Sequence, residues 1–158
     1  GSWVRLETSA YDILRDLNAG ARGWMDWNLL LQSDGGENWA DNRCDAPLLL
    51  TPNREAFVKQ PTFYALAHFA RFLPPGSRRL RLVATGAAAN ANVVAYLTPQ
   101  RRVAAVFLNK DAAEHCVRLR DVRRGVRATL CMPPRSLHTV VWPADAVAPA
   151  SNETPSPV

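Results

Sequence analysis

The sequence predicts an α/β segment joined to an all-β one, and three observations carry that prediction. Apolar residues recur at helical spacing in two stretches of the first 77 residues. Between those stretches lies one continuous run, Gly23-Trp-Met-Asp-Trp-Asn-Leu-Leu-Leu31, too apolar to alternate. Beyond Ser77 the period changes to two, in short runs rich in Val, Leu and Ala separated by turn residues. Six strands at that spacing read as an antiparallel sandwich.

From Trp3 to about Asn18, the residues Trp3, Leu6, Ala10, Ile13, Leu14 and Leu17 share one helical face. Asn18-Ala-Gly20 ends that helix, because Gly and Asn accept the left-handed C-terminal cap. The Gly23–Leu31 run is expected to be a strand buried on both faces, as parallel strands are. Residues 32–46 form a polar loop rich in Gly, Asn and Asp, long enough to be functional. Ala46–Thr51 reads as a short strand. Gln60-Pro61 opens a second helix, with proline in the first turn where its missing N–H costs little. Phe63, Leu66, Ala67, Ala70 and Phe72 give it an apolar side, and Pro74-Pro-Gly76 stops it. The six expected strands are Leu80–Thr85, Asn92–Leu97, Arg102–Leu108, His115–Leu119, Val126–Met132 and Ser136–Trp142. The expected organisation is therefore 1–77 as the α/β part, 78–145 as the sandwich and 146–158 as a flexible tail without large apolar residues.

Composition narrows the function. A chain of 158 residues suits one or two small units but is too short for a (β/α)8 barrel, which takes roughly 200 residues or more. No stretch approaches the roughly 20 apolar residues of a membrane span. The net charge of +5 is uneven: residues 71–135 hold thirteen Lys+Arg against three acidic residues. These arginines are spread along alternating strands, so a solvated strand face is the first reading, an anionic membrane surface the second, and nucleic acid is not expected. Cys44, Cys116 and Cys131 fit no zinc spacing, and His68, His115 and His138 are scattered, so no metal and no cofactor are expected. Cys116 and Cys131 could pair across strands, but buried free thiols are the preferred reading. Asn152-Glu-Thr154 matches the N-glycosylation pattern, whose use requires the secretory pathway.

The chemistry-bearing residues cluster in the apolar run. Trp27 beside Asp26 and Asn28 offers an aromatic face with polar groups at its edge, the combination that a sugar cleft uses. The competing reading is a core strand with tryptophan filler. Buried, Asp26 and Asn28 would need hydrogen-bond partners, which suits a supporting shell around a site.

The surroundings favour the cleft. Gly1-Ser-Trp3, Asp16-Leu-Asn18, Gly23-Trp-x-Asp-Trp-Asn-Leu-x-Leu31, Gly35-Gly-x-Asn-Trp39, Asn42-x-x-Asp45, Lys59-Gln-Pro-x-Phe-Tyr64 and His68-Phe-x-x-Phe72-x-Pro-x-Gly-Ser77 follow in one order. That order resembles the C-terminal part of the glucosylceramidases (acid β-glucosidases) of glycoside hydrolase family 30, from residue 1 to about Trp142. The resemblance implies that residues 3–73 are the last helices and eighth strand of a (β/α)8 barrel, followed by the β-sandwich. It implies a retaining β-glucosidase acting on glucosylceramide or a related β-glucoside, lysosomal or secreted. It puts both catalytic glutamates upstream of residue 1, so no catalytic residue is expected here and the missing N-terminal part becomes a partner. It puts Trp27 in the wall of the glucose pocket and Asn42 close to the sugar, although a loop asparagine also commonly caps a turn. Glu37 stands where the family usually has proline, and Arg43-Cys44 replaces an apolar pair, so the loop path is open. The alternatives are a non-catalytic carbohydrate- or lipid-binding β-module and a non-functional truncated product. The absence of a Met before Gly1 favours a fragment.

Overall fold

The computed structural model describes residues 2–36, 40, 42–85 and 91–145. Helix α1 spans Trp3–Ala19 and helix α2 spans Pro61–Phe72. The strands are β1 (Leu30–Gln32), β2 (Leu48–Leu50), β3 (Phe57–Lys59), β4 (Arg78–Arg79), β5 (Asn92–Leu97), β6 (Arg102–Asn109), β7 (His115–Asp121), β8 (Val126–Met132) and β9 (Ser136–Pro143). Both expected helices form, and Gly20 closes α1 in the left-handed region at φ 102°. There the Ala21 N–H reaches the Asp16 carbonyl at 2.9 Å and satisfies an otherwise orphaned acceptor.

The β-rich half is organised around the antiparallel sheet β4-β5-β6-β9, with β7-β8 as a separate antiparallel hairpin. Alternation along β5 and β6 sends side chains to opposite faces of the sheet. Val94, Tyr96, Val106 and Leu108 join Leu6, Ile13, Leu14 and Phe69 of the two helices in one core cluster. Ala95, Ala105 and Phe107 face the other way, against Val117, Leu119, Leu130 and Met132 of the hairpin. The central sheet is thus covered by helices on one side and by a hairpin on the other. Full burial of a side chain such as Val106 contributes about 1.5–3 kcal/mol.

One polar strap ties the helical half to the β half. Glu7 of α1 is only 6% exposed, and its carboxylate accepts two bonds from the Arg135 guanidinium at 3.0 and 2.6 Å. The Trp3 indole N–H donates to the Arg135 carbonyl at 2.8 Å, one turn earlier on the helix. A bidentate carboxylate–guanidinium pair offsets the desolvation that burying Glu7 entails.

Several expectations are corrected. The Gly23–Leu31 strand is not buried on both faces: ladder pairing begins only at Leu30, where β1 runs parallel to β2. Among the described residues no strand ladder includes residues 23–29, and β2 reaches back only as far as the Leu29 carbonyl, which accepts the Leu48 N–H at 3.1 Å. Strand β3, which sequence reading did not anticipate, completes a three-stranded sheet in the order β1-β2-β3. Leu80–Thr85 is not a strand either. The ladder of β4 ends with the Leu80 N–H bonded to Ala95 at 2.8 Å, and residues 81–85 are exposed. Cys116 and Cys131 are neither free nor buried; they form a disulfide. Strand pairing sets them directly opposite each other on the outward face of the hairpin, with Cα atoms 3.9 Å apart. Glu37, Trp39, the turn at 86–90, the tail from 146 and the Asn152 sequon lie outside the described residues.

Candidate functional site

Residues 21–47 carry the candidate site, running from the cap of α1 through β1 to the start of β2. Trp27 precedes β1 by three residues, is 80% exposed and lies outside both core clusters of this chain. Asp26 is also exposed, which corrects the expectation of a buried carboxylate. Its Oδ1 accepts the Trp27 backbone N–H at 2.9 Å, fixing the turn that directs Trp27. Asn28 is half-buried, and its Nδ2 is buried without a hydrogen-bond partner among the described residues. A buried donor left unpaired costs about 1–3 kcal/mol, so this amide is an incomplete part of the structure. Trp24, by contrast, packs against the helical core.

The polar loop is shaped by one glycine and one ion pair. Gly35 adopts φ 81°, and a Cβ there would meet the Cys44 carbonyl oxygen at 2.5 Å. That close approach lets the Cys44 N–H donate to the Gly35 carbonyl at 3.0 Å and folds the loop back on itself. Arg43 pairs with Asp34 across the same fold, giving the departure from the family pattern at Arg43 a structural purpose. Donation from the Gly36 N–H, followed by the Arg43 guanidinium, holds the Asp34 carboxyl below its ordinary value. Asn42 projects from this loop, exposed, and its Oδ1 accepts from the Cys44 thiol at 3.3 Å.

Two cavities border the segment. The larger, about 1080 Å³, is an apolar groove between α1 and α2 lined by Leu17, Trp24, Met25, Phe69 and Tyr96 among others. The smaller, about 320 Å³, is polar and is lined by Arg5, Asp26, Asp45 and Thr62 among others. Asp26 borders both, whereas Trp27, Asn28 and Asn42 border neither. The structure therefore brings Asp26 together with Trp27 but leaves Asn42 on a separate excursion of the chain. Sequence reading did not single out Arg5 or Gln60. Arg5 meets Asp45 at 2.5 Å, and the Gln60 amide donates to Asp45 at 2.7 Å. With its oxygens so engaged, Asp45 is a structural acceptor that anchors the end of the loop. The motif spacing held Asp45 and Gln60 but gave no sign that they would meet.

The arrangement can present an aromatic face and hydrogen-bonding groups to a ligand. Residues 1–73 match the glycosyl hydrolase family 30 TIM-barrel domain, and residues 76–140 match that family's β-sandwich domain. The chain is 43% identical over 142 residues to a Caenorhabditis elegans protein provisionally named glucosylceramidase 3. It is 37% identical over 142 residues to the lysosomal acid glucosylceramidase of Mus musculus. Each alignment covers 90% of this chain but 27% of the relative, so the chain spans about a quarter of their length. The crystal structure of SrfJ from Salmonella typhimurium superposes with a TM-score of 0.80 at 28% identity, over 90% of this chain and 32% of that one. With the helices, the β-rich half and the loop motifs all in family order, this chain belongs to glycosyl hydrolase family 30, carrying the end of its TIM-barrel domain and its β-sandwich domain.

Proposed function

We propose that this chain forms one wall of the sugar site in a retaining β-glucosidase acting on glucosylceramide or a related β-glucoside. The observation that carries the reading is Trp27: a large aromatic held in the open, its backbone fixed by Asp26. An indole in that position covers the C–H face of a pyranose, while Asn42 from the loop hydrogen-bonds a hydroxyl. Asp26 supports Trp27 through its backbone N–H, and Asn28 follows it as a second supporting residue. The Asn28 amide, unpaired among the described residues, is a donor for an acceptor from the rest of the barrel.

Retention requires two carboxyl groups about 5–5.5 Å apart, one as nucleophile and one as acid/base. On this reading neither belongs to the chain, and both glutamates come from the remaining barrel strands, which are its partner. Residues 1–77 then act as the barrel portion and 78–145 as the sandwich module. The name of the mouse relative supports a lysosomal setting, with secretion as the other expected route.

The test is a fluorogenic β-glucoside assay on the chain alone and on the chain co-expressed with the upstream part of a family member. Turnover is expected only in the second case. In that active assembly, Trp27→Ala raises the barrier by about 1–3 kcal/mol while leaving the melting temperature within a few degrees. Turnover by the lone chain that disappears in Asp26→Asn overturns the proposal.

A further inference from the structure

We propose that Cys116, Cys131 and Glu114 form a zinc site on the outward face of the β7–β8 hairpin, closed as the disulfide and opened by reduction. One sulfur from each cysteine and one Glu114 carboxylate oxygen all lie within 4.8 Å of one another. Two sulfurs and a carboxylate oxygen suit zinc, which takes thiolates at about 2.3 Å and carboxylate oxygens at about 2.0–2.2 Å. Tetrahedral zinc holds two thiolates about 3.8 Å apart. Residues directly opposite on antiparallel strands have Cβ atoms about 4.5–5.5 Å apart, so two thiols reach that separation by side-chain rotation. The cysteines are 15 residues apart in the chain, a spacing that announces no zinc ligands, and register alone joins them.

Glu114 is the residue that a disulfide leaves unexplained. Its carboxylate forms no ion pair among the described residues, and one of its oxygens lies 3.9 Å from the Cys116 Sγ. A disulfide sulfur has no proton to donate, so that carboxylate stabilises nothing in the oxidised hairpin. Beside two thiolates it completes a trio of negative ligands that a divalent cation neutralises in large part. Arg118, two places along the same face from Cys116, offsets part of the remaining charge. His115 is held at its Nε2 by Asp111 at 2.8 Å and is not in the cluster. All three ligand residues are exposed, which leaves a fourth position to water and gives a reductant access.

The hairpin keeps the ligands together without the sulfur–sulfur bond. Its ladder runs from His115↔Met132 to Asp121↔Val126, and Val117, Leu119, Leu130 and Met132 pack on the central sheet. At the far end the Arg124 Nε donates to the Ala144 carbonyl at 2.6 Å. Reduction takes two electrons and two protons from a small dithiol, which leaves as its own disulfide, and breaks the Cys116–Cys131 bond to give two thiols. Each thiol gives up its proton as zinc binds, so loading releases two protons and forms two Zn–S bonds and one Zn–O bond. Both sulfurs are then engaged, and the disulfide cannot re-form until the metal leaves.

The test uses the full chain carrying Cys44→Ser, so that the hairpin cysteines are the only ones left. The chain is reduced with a small dithiol, freed of it without air, and titrated with zinc or, as a spectroscopic probe, cobalt. One metal ion is expected to bind the reduced chain, with a thiolate-to-cobalt absorption band, and none the oxidised chain. Zinc is also expected to raise the melting temperature of the reduced chain, because an ion held only by the folded hairpin stabilises it by mass action. Cys116→Ser is expected to abolish the cobalt band. Glu114→Gln alters an exposed position that the fold does not need, and it is expected to weaken zinc by at least about tenfold, the lower end of what even groups supporting a ligand contribute. Equal binding by the oxidised chain, no binding by the reduced one, a melt that zinc does not raise, or a Glu114→Gln variant with undiminished affinity would each overturn the proposal. No sugar and no turnover enters the measurement, so its failure leaves the glucoside reading untouched, and the reverse holds too.

Discussion

Strand β6 and the run Trp24–Leu31 are comparably apolar, yet they meet opposite fates. β6 is buried from Val103 to Asn109, while Met25 is 91% exposed and Leu29 66%. The difference is in the neighbours. β6 has β5 on one side, β9 on the other, helices over one face and the hairpin over the other. The run from Trp24 has β2 beside its last residues alone and helices on a single side. Hydrophobicity supplies the tendency to be covered, and the tertiary surroundings decide whether covering takes place.

The largest effect expected from this contrast comes from a charge placed in the covered strand. Val106→Asp buries an unpaired carboxylate among helix and sheet side chains and costs more than about 4 kcal/mol. Loss of a cooperative melt by circular dichroism is the expected result. Survival of that variant with a normal transition would mean that β6 is not the centre of the core.

Next is the hairpin, which covers only one face and is stapled. Replacing both Cys116 and Cys131 by serine opens a link spanning 15 residues, with an expected loss of about 3 kcal/mol. Denaturant melts of the variant, compared with the parent before and after treatment with a dithiol, measure it. A parent that reduction leaves unchanged would show that packing alone secures the hairpin.

The strap between the two halves ranks third. Arg135→Ala strands the buried Glu7 carboxylate, at an expected cost of about 2 kcal/mol. Adding Glu7→Leu to that variant removes the orphaned charge and should restore much of the loss. Additive losses in the double variant would show that Glu7 acts through something other than its ion pair.

A smaller effect is set by pH. Burial, and then the charge of nearby His138, lower the proton affinity of His68, whose Nδ1 meets the Thr139 hydroxyl at 2.8 Å between α2 and β9. A histidine depressed in the folded state contributes stability above its ordinary value of about 6.5, and that contribution fades as pH falls toward its folded value. The melting temperature should therefore fall from about pH 7 to about pH 5, and His68→Gln should flatten that slope. An unchanged slope would place the acid sensitivity elsewhere.

The smallest effect belongs to the open run. Met25→Ser should change stability by no more than about 0.5 kcal/mol in the isolated chain. A loss comparable to that of Arg135→Ala would mean the segment is covered after all, and the contrast with β6 would collapse.

Periodicity alone determined the two helices, the Gly20 cap and the β-rich second half, because each is written in local spacing. Helical faces repeat every 3.6 residues and strand faces every two, and left-handed caps need glycine. The ordered motifs determined the family. What local pattern did not hold was partnership. Leu80–Thr85 has strand-like alternation but, among the described residues, no partner beyond Leu80, and β3 pairs without an apolar pattern to announce it. Cys116 and Cys131 became a disulfide only because the hairpin register set them face to face. The same register gathered arginines that are scattered in sequence onto one outward surface. Trp27 could be singled out from sequence, but its exposure could not, since exposure depends on which surfaces arrive from elsewhere in the fold. Short-range order follows from the chain's own spacing, whereas burial, pairing and charge juxtaposition are properties of segments that meet only after the chain has folded.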